Sequence, residues 1–312
     1  MSDLKAATSS QVTPTSHAVS QAPASNLTDN RPAATGAFFT KRSNQADAAD
    51  PLAQQLRTLG LYVMAERYSA LAEEALKARS PYTHYLAQLV SAQLAARMDR
   101  SVRDRITRAR FPAIKTLEEF DFSFQPSVDE RYVRTLAQLD FIQQSQNVLL
   151  VGAPGVGKTH LAIALGVKAC CARKRVLFYS VPELMDQLVL CQAGGTLPQR
   201  LVELGRLNLL ILDELGYLRL DAVRANLFFQ LISRLYEKGS LILTTNRRFE
   251  TWADIFGGDA VIASAILDRL LHHRHILAIN GPSYRTPDLT KEPLAQAVPD
   301  PSIGVKDSGT LS

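Results

Sequence analysis

Three groups of polar residues in this chain have the types and spacing for phosphate chemistry. The first is the run Gly152-Ala153-Pro154-Gly155-Val156-Gly157-Lys158-Thr159, which reads G-x-x-x-x-G-K-T. Glycines in that pattern let the backbone turn tightly and aim its N–H groups at phosphate oxygens. A helix beginning there adds the positive end of its dipole. Lys158 is then placed for the β- and γ-phosphates and the Thr159 hydroxyl for Mg²⁺, with His160 next along the nucleotide-binding stretch. The apolar run Val148–Val151 before the loop and the helix-compatible run His160–Lys168 after it supply the strand–loop–helix context the motif needs.

The second group is Asp213-Glu214, at the tip of the apolar run Leu209–Leu212 and 55 residues after Lys158. A buried parallel strand reads as such a continuous apolar run. Asp213 is placed to hold Mg²⁺ through water, and Glu214 to orient and deprotonate an attacking water. Two acids capping a helix would be the plainer use; the phosphate loop upstream favours the metal and water roles. Paired acids also favour hydrolysis of a γ-phosphate over its transfer to a small molecule. The third group is dispersed. Asn246 ends the run Leu241–Thr245 and can hydrogen-bond the γ-phosphate or the lytic water, though an Asn also suits a plain turn. Arg269 lies on a helix-compatible run, where an Arg supplied from a neighbouring subunit could stabilise a phosphoryl-transfer transition state. It could equally pair with surface acids. His272, His273 and His275 cluster nearby, but no further ligand at zinc spacing accompanies them, so they read as bordering a strand.

These residues need a scaffold. Strand-like runs at Val148–Val151, Val176–Tyr179, Leu209–Leu212, Leu241–Thr244 and His275–Ile279 alternate with helical patterns. Such alternation predicts an α/β fold of the P-loop NTPase type, a parallel sheet with helices on both faces and the ligand at the carboxyl ends of the strands. A small all-α N-terminal domain precedes it. The expected divisions are a disordered, Ser/Thr/Ala/Gln/Pro-rich tail over 1–50, helices over 51–112, a connector over 113–146, the nucleotide-binding core over 147–290 and a second disordered tail over 291–312. In the helical part Leu52, Leu56, Leu59 and Val63 form one apolar stripe, and Ser80-Pro81 reads as a cap and first turn.

Composition narrows the class. Apolar residues make up 46% of the 312, enough for a substantial core, yet no apolar run is long enough to span a membrane. No basic-then-apolar leader is visible. Cys170, Cys171 and Cys191 fit neither a disulfide framework nor a metal spacing, which points to a reducing compartment, the cytoplasm. The net charge is +5. Residues 97–115 alone hold +5, from Arg97, Arg100, Arg103, Arg105, Arg108, Arg110 and Lys115 against Asp99 and Asp104. The arginines surround a stripe of Met98, Val102, Ile106 and Ala109. They form either a solvated helix face or a surface for nucleic-acid phosphates.

Several long strings, in order, resemble the IstB-like ATPases, helper proteins of bacterial insertion sequences and relatives of the helicase loader DnaC. They are Gly152–Ala162, Leu209–Leu218, Asn226–Glu237, Thr244–Phe249, Trp252–Phe256, Leu267–His272 and Ser283–Arg285, together with Arg108–Phe122. The resemblance implies an AAA+ ATPase of the ASCE group that uses ATP and Mg²⁺, binds double-stranded DNA, assembles with itself in an ATP-dependent way and regulates a cognate transposase. By position it assigns Lys158 and Thr159 to the phosphate loop, Asp213 and Glu214 to the metal and water, Asn246 to a sensor, and Arg269 to an inter-subunit arginine finger. It also makes DNA or transposase contact the leading reading of the arginine-rich helix. The chain departs from the family pattern at Arg219, where Pro is common, and at Thr286-Pro287. A DnaC-like replicative helicase loader is the alternative, and a metabolic kinase a more distant one that Asp213-Glu214 disfavours.

Overall fold

The computed structural model of the chain describes residues 50–285. The expected tail over 1–50, apart from Asp50, and that over 291–312 lie outside the described residues.

Three helices come first: α1 (Pro51–Thr58), α2 (Tyr62–Lys77) and α3 (Tyr82–Arg108). They bury little. Ala53, Ala65 and Leu89 are their only buried residues, while Leu52 and Leu59 of the expected stripe are 47% and 72% exposed. The chain turns at Gly60 (φ 74°), so α1 and α2 are separate helices and the stripe never forms one face. Ser80 does not cap α3. Its N–H closes the end of α2 on the Ala75 carbonyl (2.9 Å), and Pro81 takes the cap position without a side-chain bond. The second apolar stripe is graded along α3. Met98 is 49% exposed, Ile106 packs on the core, and Ala109 is fully buried, with its carbonyl accepting from the Phe178 N–H (2.8 Å).

The connector carries α4 (Glu130–Leu136), capped by the Asp129 carboxylate, and α5 (Asp140–Gln143). Then β1 (Asn147–Gly152), β2 (Val176–Ser180), β3 (Leu209–Leu215), β4 (Ser240–Thr245) and β5 (Arg274–Ile279) form one parallel sheet in the order β2-β3-β4-β1-β5. The helices between them are α6 (Lys158–Cys171), α7 (Val181–Ala193), α8 (Leu197–Leu204), α9 (Ala222–Leu235), α10 (Trp252–Ile255) and α11 (Ala260–His272). Two apolar layers result. One holds α6 with the connector residues Leu117, Phe120 and Phe141. The other holds α7, α9 and α11 around Phe228 and Trp252. The central strands β3 and β4 are buried almost throughout, as their unbroken apolar runs require.

Two consequences position the site. All strand carboxyl ends share one edge of the sheet. And β4, between β1 and β3, ends between the phosphate loop and the acids at the tip of β3.

Candidate functional site

The phosphate loop joins β1 to α6. Gly155 (φ 81°) and Gly157 (φ 101°) adopt left-handed backbone, which a side chain resists. A Cβ would also meet Ser283 Oγ at 2.1 Å in the first case and the Phe120 ring at 2.6 Å in the second. Lys158 opens α6 and is buried, its Nζ donating to the carbonyls of Gly152 (2.8 Å) and Ala153 (2.7 Å). Burial lowers its pKa to about 8; the charge of Arg285 acts in the same direction and that of Asp213 against it.

Asp213 is 5% exposed and bonded only to hydroxyls. Its Oδ1 accepts from Thr159 (3.0 Å) and Thr244 (2.5 Å), and its Oδ2 from Thr159 (2.9 Å). No cationic side chain bonds it among the described residues. On a regular strand Glu214 would point away from its neighbour Asp213. Here the register against β4 slips between Leu212 and Leu215, Glu214 has φ 68°, and its N–H donates to Thr244 Oγ1 (3.0 Å). This bulge turns Glu214 into the same cavity that the phosphate loop faces. That cavity has a volume of about 660 Å³; Lys158, Thr159, His160, Glu214 and Thr244 line it.

Asn246 follows β4 directly. Its Oδ1 is buried without a hydrogen-bond partner among the described residues, and Thr244 rather than Asn246 lines the cavity. Arg269 is not brought to the cavity. It sits near the end of α11, bonded to the Ala265 carbonyl (2.8 Å) with its guanidinium 4.9 Å from the centroid of the Phe229 ring. The neighbouring Leu270 carbonyl accepts from the Asn147 side chain (3.3 Å), so this is the edge where β1 begins, opposite the phosphate loop. Within the loop, Val156 faces the core, and His160 is held by the Thr116 carbonyl (2.8 Å).

Sequence reasoning left out the wall packed against the loop. Phe120 and Asp121 of the connector and Tyr284 and Arg285 beyond β5 line the cavity. The Tyr284 N–H donates to the Gly155 carbonyl (2.9 Å) and its hydroxyl to the Asp121 carbonyl (2.7 Å). Gln125, fully buried, donates to the Pro282 carbonyl (2.5 Å) and pins the same strap. The strings Phe120-Asp121-Phe122 and Ser283-Tyr284-Arg285 were the visible signal.

The arginines of α3 divide. Arg97, Arg100, Arg105 and Arg108 line one shallow depression with Ser101 and Asp104, and Arg173 joins Arg97 and Arg105 in the next. Arg97, Arg100, Arg103 and Arg108 are exposed and have no ion pair among the described residues. Arg110 turns away (φ 62°) to donate to the Tyr179 hydroxyl (2.9 Å), which Arg200 also reaches (2.8 Å).

Against known proteins, the profile of the IstB-like ATP binding proteins matches residues 54–291. The chain belongs to this family. It is 47% identical over 222 residues to the ATP-binding protein of insertion sequence IS21 from Pseudomonas aeruginosa, covering 71% of this chain and 83% of that one. To the corresponding protein of IS5376 from Geobacillus stearothermophilus it is 43% identical over 227 residues, 73% and 90% of the two chains. Among solved structures the IstB-like chain is similar to the DnaC helicase loader, at 23% identity and TM-score 0.42 over 48% of this chain and 87% of that one. It is also similar to DnaI, at 23% identity and TM-score 0.45 over 58% and 92%. No described helix is long and apolar enough to cross a membrane.

Proposed function

We propose that this IstB-like protein is a cytoplasmic, ATP-hydrolysing, DNA-binding helper of its insertion sequence's transposase. The observation that supports the ATPase reading is the bulge in β3, which turns Glu214 into the cavity lined by the glycine-rich loop, beside Thr159 and its partner Asp213.

In this reading the loop N–H groups and the α6 N-terminus receive the triphosphate, and Lys158 leaves the Gly152 and Ala153 carbonyls for its β- and γ-oxygens. Thr159 and Asp213 fit a hard divalent cation such as Mg²⁺. Both offer oxygen donors, and the Asp213 carboxylate is buried with hydroxyl partners alone. Held by Thr159 and Asp213, such an ion would supply positive charge to offset that of the β- and γ-phosphates. Glu214 accepts the proton of the attacking water, Asn246 orients that water by accepting through its unpartnered Oδ1 or the γ-phosphate by donating through Nδ2, and Arg285 adds positive charge beside the loop. Arg269 faces the other edge of its own sheet. It therefore serves a neighbour's site, which makes hydrolysis depend on self-assembly. Arg97, Arg100, Arg103, Arg105 and Arg108, which make no ion pair among the described residues, supply the contact to duplex phosphates, while Arg110 is engaged with Tyr179 instead.

The test is the ATPase rate of the full chain with and without duplex DNA, alongside the size of the ATP-bound complex. Duplex-stimulated turnover in a multi-subunit complex is expected, and turnover by isolated monomers indifferent to DNA would overturn the reading. Co-purification with the transposase rather than a replicative helicase separates the helper role from that of a loader.

A further inference from the structure

At the edge of the sheet where the strands begin, Glu237, His272 and His273 converge. Their ligating atoms all lie within 4.8 Å of one another. Neighbouring histidines on a continuous helix point about 100° apart and cannot share an ion. Here α11 ends at His272 and His273 is extended (φ −127°, ψ 99°), which brings the rings together with centroids 4.2 Å apart and planes at 65°. Glu237 comes from the turn after α9. Its backbone is left-handed (φ 58°) inside a tight turn in which the Lys238 and Gly239 N–H groups both donate to the Leu235 carbonyl.

The surroundings suit a ligand set better than a surface cluster. The Tyr236 hydroxyl lies 3.1 Å from His272 Nδ1, which orients that ring and leaves Nε2 free. Metal-binding imidazoles are held in this way by a partner on the other nitrogen. Glu237 has no salt bridge among the described residues. The nearby arginines are engaged elsewhere, Arg269 with the Ala265 carbonyl and the Phe229 ring, and Arg274 with the Leu271 carbonyl. His275 makes the contrast. Both of its nitrogens are occupied, by the Tyr132 hydroxyl (2.8 Å) and Gln146 Oε1 (2.8 Å), so it is a structural histidine.

We propose that Glu237, His272 and His273 form a binding site for a divalent transition-metal ion of the Zn²⁺ class. Two imidazoles and one carboxylate make a three-ligand set, and water completes the coordination. The ion ties the turn after α9 to the end of α11, one helical turn from Arg269. In sequence the pair lacked a third ligand because Glu237 stands 35 residues before His272.

Co²⁺ is the probe, titrated into the untagged, chelator-stripped full chain and followed by its visible absorption. The expected result is one Co²⁺ per chain, displaced by Zn²⁺. The band disappears in the His272→Ala, His273→Ala double variant. Glu237→Gln weakens binding by about tenfold or more, since the ion loses its only charged donor. The metal-free variants melt at the temperature of the metal-free parent, because all three side chains are exposed. A band that persists unchanged in the double histidine variant would place the ion elsewhere and overturn the proposal. So would the absence of any band in the parent at about tenfold molar excess of Co²⁺.

Discussion

The two edges of this sheet are built on different terms. At the carboxyl edge the polar groups other than Asn246 Oδ1 find partners close by: Lys158 on loop carbonyls, Asp213 on two threonine hydroxyls, Tyr284 on the loop and the connector. At the amino edge Arg269 lies over a phenylalanine, far along the sheet from the phosphate loop of its own chain. The first edge gathers the loop, Glu214 and the Tyr284–Arg285 strap of one chain around a single cavity. On the proposed function the second serves another copy. On the proposed function, hydrolysis requires both edges, supplied by different subunits.

The largest expected effect breaks this division directly. Arg269→Ala should lower turnover by about 10³-fold or more while nucleotide affinity stays at the parental value. Glu214→Gln should keep nucleotide bound and lower turnover by about 10²–10⁴-fold. Mixing the two inactive variants is the sharper measurement. Interfaces that pair an intact Glu214 with an intact Arg269 should recover part of the rate. A mixture no faster than its components would place Arg269 outside any neighbour's site.

The arginines of α3 come next. Like Arg269 they make no salt bridge among the described residues, but their charge is spread along an exposed helix. Replacing Arg97, Arg100, Arg103 and Arg108 together by glutamine should reduce the slope of log affinity for duplex DNA against log salt by about 3 to 4, at roughly 0.9 per phosphate contact. ATP binding should not change. An unaltered slope would make these arginines a solvated face.

The same contrast governs what could be read from sequence. The phosphate loop was legible because its eight residues are contiguous and their roles depend on local backbone. Asp213-Glu214 was legible as the tip of a buried strand. The direction of Glu214 was not, because it depends on a register slip against β4 and on Thr244, 30 residues on. The Tyr284–Arg285 strap was visible only as a string. What fixes it is the missing side chain of Gly155 meeting Ser283, a contact across more than a hundred residues. The α1–α2 stripe failed for the opposite reason. Its spacing was helical, but the turn at Gly60 breaks the helix, and a unit with three buried residues has no core to enforce the pattern. Ser80 was drawn into the end of the preceding helix rather than the start of the next.

The smallest expected effect tests the self-sufficiency of the carboxyl edge. Burial holds the free Lys158 at a pKa of about 8, well below a lysine in water. Below pH 8 the folded and unfolded chains both carry the proton, so Lys158 adds no pH dependence to stability. Between 8 and the unfolded value near 10.4, the unfolded chain binds a proton that the fold has lost, so the nucleotide-free fold gains stability as pH rises. Nucleotide binding shows the opposite trend. The triphosphate holds the ammonium form, so above pH 8 each binding event takes up a proton. Affinity should then fall by up to about tenfold per pH unit until the pKa of the bound state is reached. Titrating a fluorescent ATP analogue between pH 7 and 9.5 reads this slope, with Lys158→Arg as the flat reference because guanidinium keeps its proton throughout. An equally flat parent would mean that the two loop carbonyls hold the ammonium charged despite its burial, and that the empty loop is already set for phosphate.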